Sequence, residues 1–358
     1  MRYYDVLISQ SQASTVPVSL PTAFGKSVTR WQSYPNGVFD PEALDVEFDL
    51  YVAPYATPIG NSIVRIWGVD LATLKTAVQF AGNPSAKNPT PPMYIRVSGG
   101  MLAGLPLNTP KQAGLLAAGI VWQSYGNWRG TEMTLDLMLN AGGASFTRKV
   151  NLILNWQKGQ TLQTALQNCL AVGFPGVPVT FAISANLVAS SSFQTHRAHS
   201  LEGLAQLVSS ITQQMQGTGS LGVQIVAQKG GITVFDGSAP PATRAVAFTD
   251  LIGQPTWQGP YMLWLQTVLR GDIFVGDIIQ LPPELSSLGP YVLNPNPGES
   301  MPAYRNQSVI QGKFLVIQAR HVGRFRATDG AQWSSTYICI PWSNPASSSD
   351  RAPSSLTQ

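Results

Sequence analysis

Charge is scarce in this chain: Asp, Glu, Lys and Arg make up 11% of its 358 residues, against about 25% in an ordinary soluble domain. Polar but uncharged residues must cover much of the surface. A surface poor in Lys and Glu, with 9 Trp, 11 Tyr and 13 Phe, suits a protein that buries itself against partners. The 22 basic and 18 acidic residues leave a net charge of +4. There is no Lys/Arg cluster of the kind that tracks a phosphate backbone, which argues against specific nucleic-acid binding. Histidine occurs three times and cysteine twice. Cys169 and Cys339 lie far apart in apolar surroundings and read as buried free thiols, with no sign of an oxidising compartment. No stretch reaches ~18 consecutive apolar residues, so no membrane-spanning helix is expected. The start MRYYDVLISQ lacks the apolar core of a signal peptide. The chain is expected to be made in a cytoplasm and to stay soluble or be packed into a particle there.

What the sequence has is patterning. Residues 45–52 alternate, with Val46, Phe48, Leu50 and Val52 on one face and Asp45, Glu47, Asp49 and Tyr51 on the other. Residues 131–139 do the same, with Met133, Leu135, Leu137 and Leu139 inward. Period-two segments of this kind are half-buried antiparallel strands. Shorter strands are predicted at 62–69 and 93–98, with a helix over 71–80 between them. The proline-rich run 83–92 can only be loop. One barrel carrying one helix fits residues 1–150.

The character changes near Asn151. Leu162, Ala165, Leu166, Cys169 and Leu170 recur at helical spacing. Ser200 is a suitable N-cap for a second helix with the stripe Leu201, Leu204, Ala205, Val208, Ile211 and Met215. Strands at 150–156, 179–184, 223–227 and 232–235 flank and separate these helices, and a Gly230-Gly231 turn joins the last two. Residues 151–238 therefore read as a small α/β domain. Strands at 261–269, 273–281, 312–319 and 333–340 make residues 239–342 β again. A loop rich in Pro, Asn and Gly spans 282–306, and 343–358 reads as a polar, flexible tail. The expected fold class is α+β, mostly β: two antiparallel β-barrel domains flanking the α/β domain.

Each candidate site has a plainer reading. His196, His199 and Glu202 could begin a metal site, but zinc needs three or four converging ligands. The remaining histidine, His321, lies in another domain, so a polar loop entering a helix is favoured. Gly217, Gly219 and Gly222 match a dinucleotide fingerprint in spacing, yet they follow a helix and precede a strand, the reverse of what phosphate binding requires. Asp45, Glu47 and Asp49 set three carboxylates on one strand face, neighbours roughly 6.5 Å apart. Glycosidase chemistry could use such a pair, but a general acid needs a pocket that raises its pKa. A solvated face, or one meeting a basic partner, is favoured. Arg270-Gly271-Asp272 reads as a turn between strands, and Asn306-Gln307-Ser308 as a glycosylation sequon without a secretory route. His321, beside Arg320, Arg324 and Arg326 in a basic turn between two apolar strands, reads as a hydrogen-bonded histidine at a strand end. No catalytic, cofactor-binding or metal-binding set emerges.

Three stretches together resemble the baseplate hub proteins of contractile-tailed, Mu-like bacteriophages. The first runs from Gly104 through Pro106, Pro110, Gln112 and Gly114 to Trp122, Trp128, Gly130 and Asp136. The second is Phe248-Thr-Asp-Leu-Ile-Gly-Gln-Pro-Thr-Trp257, followed by Ile273-Phe-Val-Gly-Asp-Ile-Ile-Gln-Leu-Pro282. The third spans Gln311-Gly-Lys-Phe314, Arg320-His-Val-Gly-Arg-Phe-Arg326 and Asp329-Gly-Ala-Gln-Trp333. The resemblance implies that both barrels are tail-tube-like and that three chains form a homotrimeric, pseudo-hexameric ring with a hollow lumen. It implies a ring joining a hexameric tail tube to a trimeric central spike among other baseplate proteins, within a virion. It implies no enzyme and no cofactor. The residues themselves leave two alternatives, a tail-associated cell-wall-degrading enzyme centred on the Asp45 row or the His196 pair, and a glycan-binding module carried by the α/β domain. His321, Arg324 and Arg326 are the candidate partner contacts.

Overall fold

The computed structural model describes residues 1–10, 27–55, 62–81, 93–102, 112–140, 151–175, 177–190, 195–216, 220–229, 231–239, 242–258, 262–282 and 312–342. The expected loops at 83–92 and 282–306 fall outside the described residues, apart from Pro282. So do the expected tail 343–358 and the sequon at Asn306.

The first part of the chain forms β1 (Arg2–Ser9), β2 (Ser27–Gln32), β3 (Val46–Val52), β4 (Ser62–Trp67), helix α1 (Leu71–Phe80), β5 (Tyr94–Met101), β6 (Gly114–Arg129) and β7 (Glu132–Asn140). The alternation of β3 is realised as read, with Val46, Phe48, Leu50 and Val52 buried. Asp70 caps α1 by accepting the Thr73 N–H at 2.8 Å. The helix packs on β6, where Gly126 leaves room for the Leu74 side chain.

The middle part forms β8 (Leu152–Leu154), α2 (Leu162–Gly173), β9 (Val179–Ala182), β10 (His196–Ala198), α3 (Leu201–Gln216), β11 (Gln224–Gln228) and β12 (Gly231–Phe235). The buried stripe of α2 is Leu162, Ala165, Leu166, Cys169 and Leu170, as the spacing predicts. The Ser200 hydroxyl caps α3 from the Gly203 N–H at 3.1 Å. Its stripe departs from the apolar pattern near the end: Ser209 and Thr212 are buried, while Met215 is exposed. The reason is polar packing. The Thr212 hydroxyl accepts the Val223 N–H at 2.7 Å and donates to Val208 O at 2.7 Å, and Ser209 accepts from Gln224 at 3.0 Å. The β11–β12 hairpin turns at Lys229, in the left-handed region with φ 55°, one residue earlier than the Gly230-Gly231 reading; Gly231 already pairs with Gln228.

The last part forms β13 (Thr243–Ala245), β14 (Thr256–Trp257), β15 (Leu263–Val268), β16 (Ile278–Gln280), β17 (Lys313–Arg324) and β18 (Trp333–Pro341). The single strand expected over 273–281 is broken. Gly276 takes φ 91° in a turn, and only Ile278–Gln280 pairs. β17 runs farther than its apolar core suggests, because Ala319 to Arg324 pair with β3 on one side and Ala319 to Gly323 with β18 on the other.

That double pairing determines the architecture. A thirteen-stranded sheet runs β14–β15–β18–β17–β3–β4–β7–β6–β5–β1–β2, with β16 beside β17 and β13 beside β16. The two β parts are thus one continuous, largely antiparallel sheet rather than two separately closed barrels among the described residues. The β17–β3 pair requires Gly323, whose Cβ would lie 2.2 Å from the Phe48 ring. Among the described residues three apolar clusters form the core: one within the α/β part, one over the first β part, and one over the second. The hairpin of the α/β part is clipped onto the second β part. The Gln228 amide donates to Val275 O at 2.7 Å and accepts from Val275 N at 3.1 Å, and Lys229 Nζ sits 4.0 Å from the centre of the Phe274 ring.

Candidate functional site

Two of the stretches singled out in sequence, Arg270-Gly271-Asp272 and His321, meet at one buried place rather than in surface turns. Arg270 ends the connection after β15 with 1% of its surface exposed. Its guanidinium forks onto Asp272 through Nε at 2.9 Å and Nη2 at 2.8 Å. Nη1 donates to Asp250 Oδ2 at 3.1 Å and to Ala245 O at 3.2 Å. Asp250 also accepts from Gln112 Nε2 at 3.1 Å and from the Ala247 N–H at 3.3 Å. Burial works against the Arg270 charge, but the Asp272 bonds and the two carboxylates outweigh it and hold the guanidinium above its usual pKa. The planar fork of arginine is the side chain that can serve two carboxylates and a carbonyl at once.

The backbone of Arg270 belongs to the same network. Its N–H donates to the Ser335 hydroxyl at 3.0 Å, and its carbonyl faces the Ser335 and Tyr337 hydroxyls at 3.3 and 3.4 Å. Ser335 Oγ in turn lies 2.8 Å from His321 Nδ1. His321 is therefore not at an exposed strand end. It is buried within β17, opposite Leu50 of β3 and Ser335 of β18. Burial pushes its pKa down to about 4, so the ring is neutral near pH 7, and alternation along β17 places it on the same buried face as Ala319 and Gly323.

The two β parts touch here backbone to backbone. The Gly271 N–H donates to Gln112 O at 2.8 Å. A Cβ on Gly114 would lie 2.5 Å from Gly271 O, and one on Gly271 would lie 2.6 Å from Gly114 C. Only two glycines allow that crossing. Gln112 and Gly114 come from the first of the three stretches quoted above, Asp250 from the second and His321 from the third. Widely separated segments thus converge on one buried polar junction.

The carboxylate row on β3 has basic partners within its own chain. Asp49 is held bidentately by Arg320 at 2.8 and 2.6 Å. Asp45 accepts from Arg324 Nε at 3.4 Å and from the Arg326 N–H at 3.0 Å. Glu47 faces Arg65 at 3.8 Å, and Arg65 reaches Asp136 at 2.6 Å. Asp49–Arg320 and Asp45–Arg324 are diagonal cross-strand pairs, whereas Glu47, Arg65 and Asp136 stand directly opposite one another across β3, β4 and β7. Each acid of the row faces an arginine on the solvent side of the sheet rather than lining a closed pocket. The exposed arginines Arg324 and Arg326 also bond within the chain: Arg326 Nη2 donates to Pro41 O at 3.0 Å and Ala43 O at 2.6 Å.

The other candidates stay apart. His196 lies in β10 and is half-buried, while His199 and Glu202 are exposed around the start of α3. Among the described residues no three His, Cys, Asp or Glu side chains are placed to share a metal ion. Gly222 follows α3 and takes φ 67° ahead of β11. Both thiols are free and buried, and burial pushes the Cys169 pKa up to about 11. Among the described residues no helix is long and apolar enough to cross a membrane.

Sequence reasoning missed Arg270 and Asp250. An Arg-Gly-Asp sequence between two strands has no periodicity, and nothing local distinguishes a buried fork from an exposed turn.

No protein-family model and no curated protein matches this chain. Solved structures it is similar to include the tail protein from Neisseria meningitidis, with a TM-score of 0.46, 11% identity and coverage of 95% of this chain and 98% of that one. A 43 kDa tail protein of prophage MuSo2 from Shewanella oneidensis gives 0.47 and 8%, over 94% of this chain and 97% of that one. A type VI secretion system component from E. coli, described as structurally similar to T4 bacteriophage tail proteins, gives 0.45 and 10%, over 84% and 73%.

Proposed function

We propose that this chain is a structural baseplate hub protein of a phage tail. The observation that carries the reading is the convergence of the three hub-like stretches on a single junction, where Gln112, Gly114, Asp250, Gly271 and His321 interlock. Residues so far apart in sequence have a reason to occur together if they serve one rigid joint between two β units. Residues 1–150 and 239–342 are then two tail-tube-like units, and 151–238 is an insert clipped between them. Three such chains form a closed pseudo-hexameric ring that joins the hexameric tube to the trimeric spike, inside a virion assembled in a bacterial cytoplasm. The scarcity of charge supports extensive burial against neighbours. The arginine-paired acids of the Asp45 row weigh against a lytic enzyme centred there.

The test is the mass of the purified chain together with a low-resolution image of the assembled particle. A ring of three copies at the end of the tube is expected. A stable dimer at high concentration, or a position away from the tube's end, overturns the reading. So does robust peptidoglycan cleavage that Glu47→Ala abolishes.

A further inference from the structure

The connection from β2 to β3 carries the chain's one Asn-Gly pair, Asn36-Gly37, and both residues are exposed. Asn36 takes φ 55° and ψ 26°, and Gly37 takes φ 80°. Both sit in the left-handed region, which Asn and Gly tolerate best. The pair also has a chemistry of its own. The Gly37 backbone nitrogen can close a succinimide ring on the Asn36 side-chain amide carbon, and glycine adds no Cβ to crowd the attack.

The fold holds these two atoms apart. Ring closure needs the Gly37 nitrogen on the same side of the Asn36 Cα–C bond as Cβ, and at ψ 26° it lies nearly opposite. The Gly37 N–H is also engaged, donating to Tyr34 O at 3.3 Å, and the Val38 N–H donates to Pro35 O at 3.1 Å. Turning ψ of Asn36 breaks both bonds.

The turn is pinned on either side. The Ser33 N–H donates to Tyr4 O at 3.1 Å, and the Asp40 N–H to Ser33 O at 3.0 Å. The Phe39 ring stands 5.5 Å from Tyr34 and 6.4 Å from Phe325, just beyond β17. Arg326 next to it holds Pro41 O and Ala43 O. Residues of the second β part thus keep a turn of the first part closed.

We propose that Asn36 is a modification site gated by this turn. When the turn opens, the Gly37 nitrogen, having given its proton to hydroxide, attacks Asn36 Cγ. A C–N bond forms there, the Cγ–Nδ2 bond breaks, and that nitrogen takes a proton from water and leaves as ammonia. Water then opens the succinimide at either carbonyl, giving aspartate or isoaspartate, with nothing oxidised or reduced. Either product adds a negative charge. Isoaspartate also adds a carbon to the backbone, so the turn does not reclose with its former bonds. The site records each separation of this connection from the end of β17.

Peptide mapping for isoaspartate at position 36 tests this, on the full chain kept folded and on the same chain in denaturant at one mildly alkaline pH. Circular dichroism is the check on folding. The folded chain should react about tenfold or more slowly. Phe39→Ala removes both ring contacts and should speed the folded reaction about two- to tenfold, with no change in denaturant. Arg326→Ala, which frees Pro41 O and Ala43 O, should act in the same direction and decides the matter if Phe39→Ala does not fold. Equal rates in the folded and denatured chains overturn the proposal, because the turn then gates nothing. Folded variants that react as slowly as the parent also overturn it, as does isoaspartate that forms elsewhere while position 36 stays unmodified.

Discussion

The Arg270 guanidinium and the Asp250 carboxylate meet at 3.1 Å with 2% and 0% of their side chains exposed. Gln112, from the other β part, shares the same carboxylate oxygen. A buried pair of this kind adds little net stability over an apolar substitute, because desolvation offsets the attraction. It does fix geometry, since displacing the first β part takes the Gln112 amide away from the buried Asp250 carboxylate. Arg270→Leu strands Asp250 and should cost about 3–5 kcal/mol, read as a lower midpoint in denaturant. Arg270→Lys retains charge without the fork and should fall between the two. A loss below 1 kcal/mol for Arg270→Leu would show that Asp250 is solvated and the junction loose.

The Gly114–Gly271 crossing leaves no space for a side chain. Gly271→Ala places a methyl 2.6 Å from the backbone of Gly114, and backbone cannot step aside as the end of a flexible side chain can. The β parts must separate locally, which breaks the Gly271 N–H to Gln112 O bond as well. A destabilisation of at least about 2 kcal/mol is expected. Gly130→Ala provides the contrast: nothing lies near its Cβ, and only its φ of 63° opposes the change, so a loss of about 1 kcal/mol is expected.

His321 makes stability depend on pH in a defined direction. Burial holds its pKa at about 4, below the ordinary 6.5, so the unfolded chain takes up a proton that the folded chain refuses. The stabilisation is full above pH 6.5 and is lost as pH falls from 6.5 toward 4, by about 3 kcal/mol in all. The facing groups are the Ser335 hydroxyl and the edge-on Tyr337 ring, neither of which titrates in that window. His321→Gln should flatten the pH dependence of the unfolding midpoint between 6.5 and 4. An unchanged slope would place its origin elsewhere.

The Asp49–Arg320 pair should matter little. Both side chains are more than a third exposed, and pairs of that kind contribute about 0–1 kcal/mol. A double-mutant cycle with Asp49→Ala and Arg320→Ala should give a coupling in that range that vanishes in 1 M salt. A coupling above 2 kcal/mol would mean that a partner buries this face under the conditions of the measurement.

Much of the local structure was legible because it is periodic. The five buried residues of α2, the alternation of β3, the α1 boundaries and the Ser200 cap all follow from spacing and from one capping side chain. The failures share a cause. The end of the α3 stripe, the break at Gly276 and the extension of β17 each depend on a partner distant in sequence: Val223 and Gln224 for Thr212 and Ser209, Val316 for Gly276, and β3 for Ala319 to Arg324. The acids of β3 were placed correctly on the polar face. Their arginine partners on β17 and β4 could not be seen from that strand alone.

By itself the sequence determined which faces are apolar, where helices start and how little charge the chain carries. Only the tertiary structure decided that β3 and β17 pair, that the two β parts share one sheet, and that Arg270, Asp250 and His321 are interior groups. The reason is physical. Burial of an apolar face is written in the spacing of neighbouring residues, whereas burial of a charge depends on which distant carboxylate, amide and glycine the fold brings beside it.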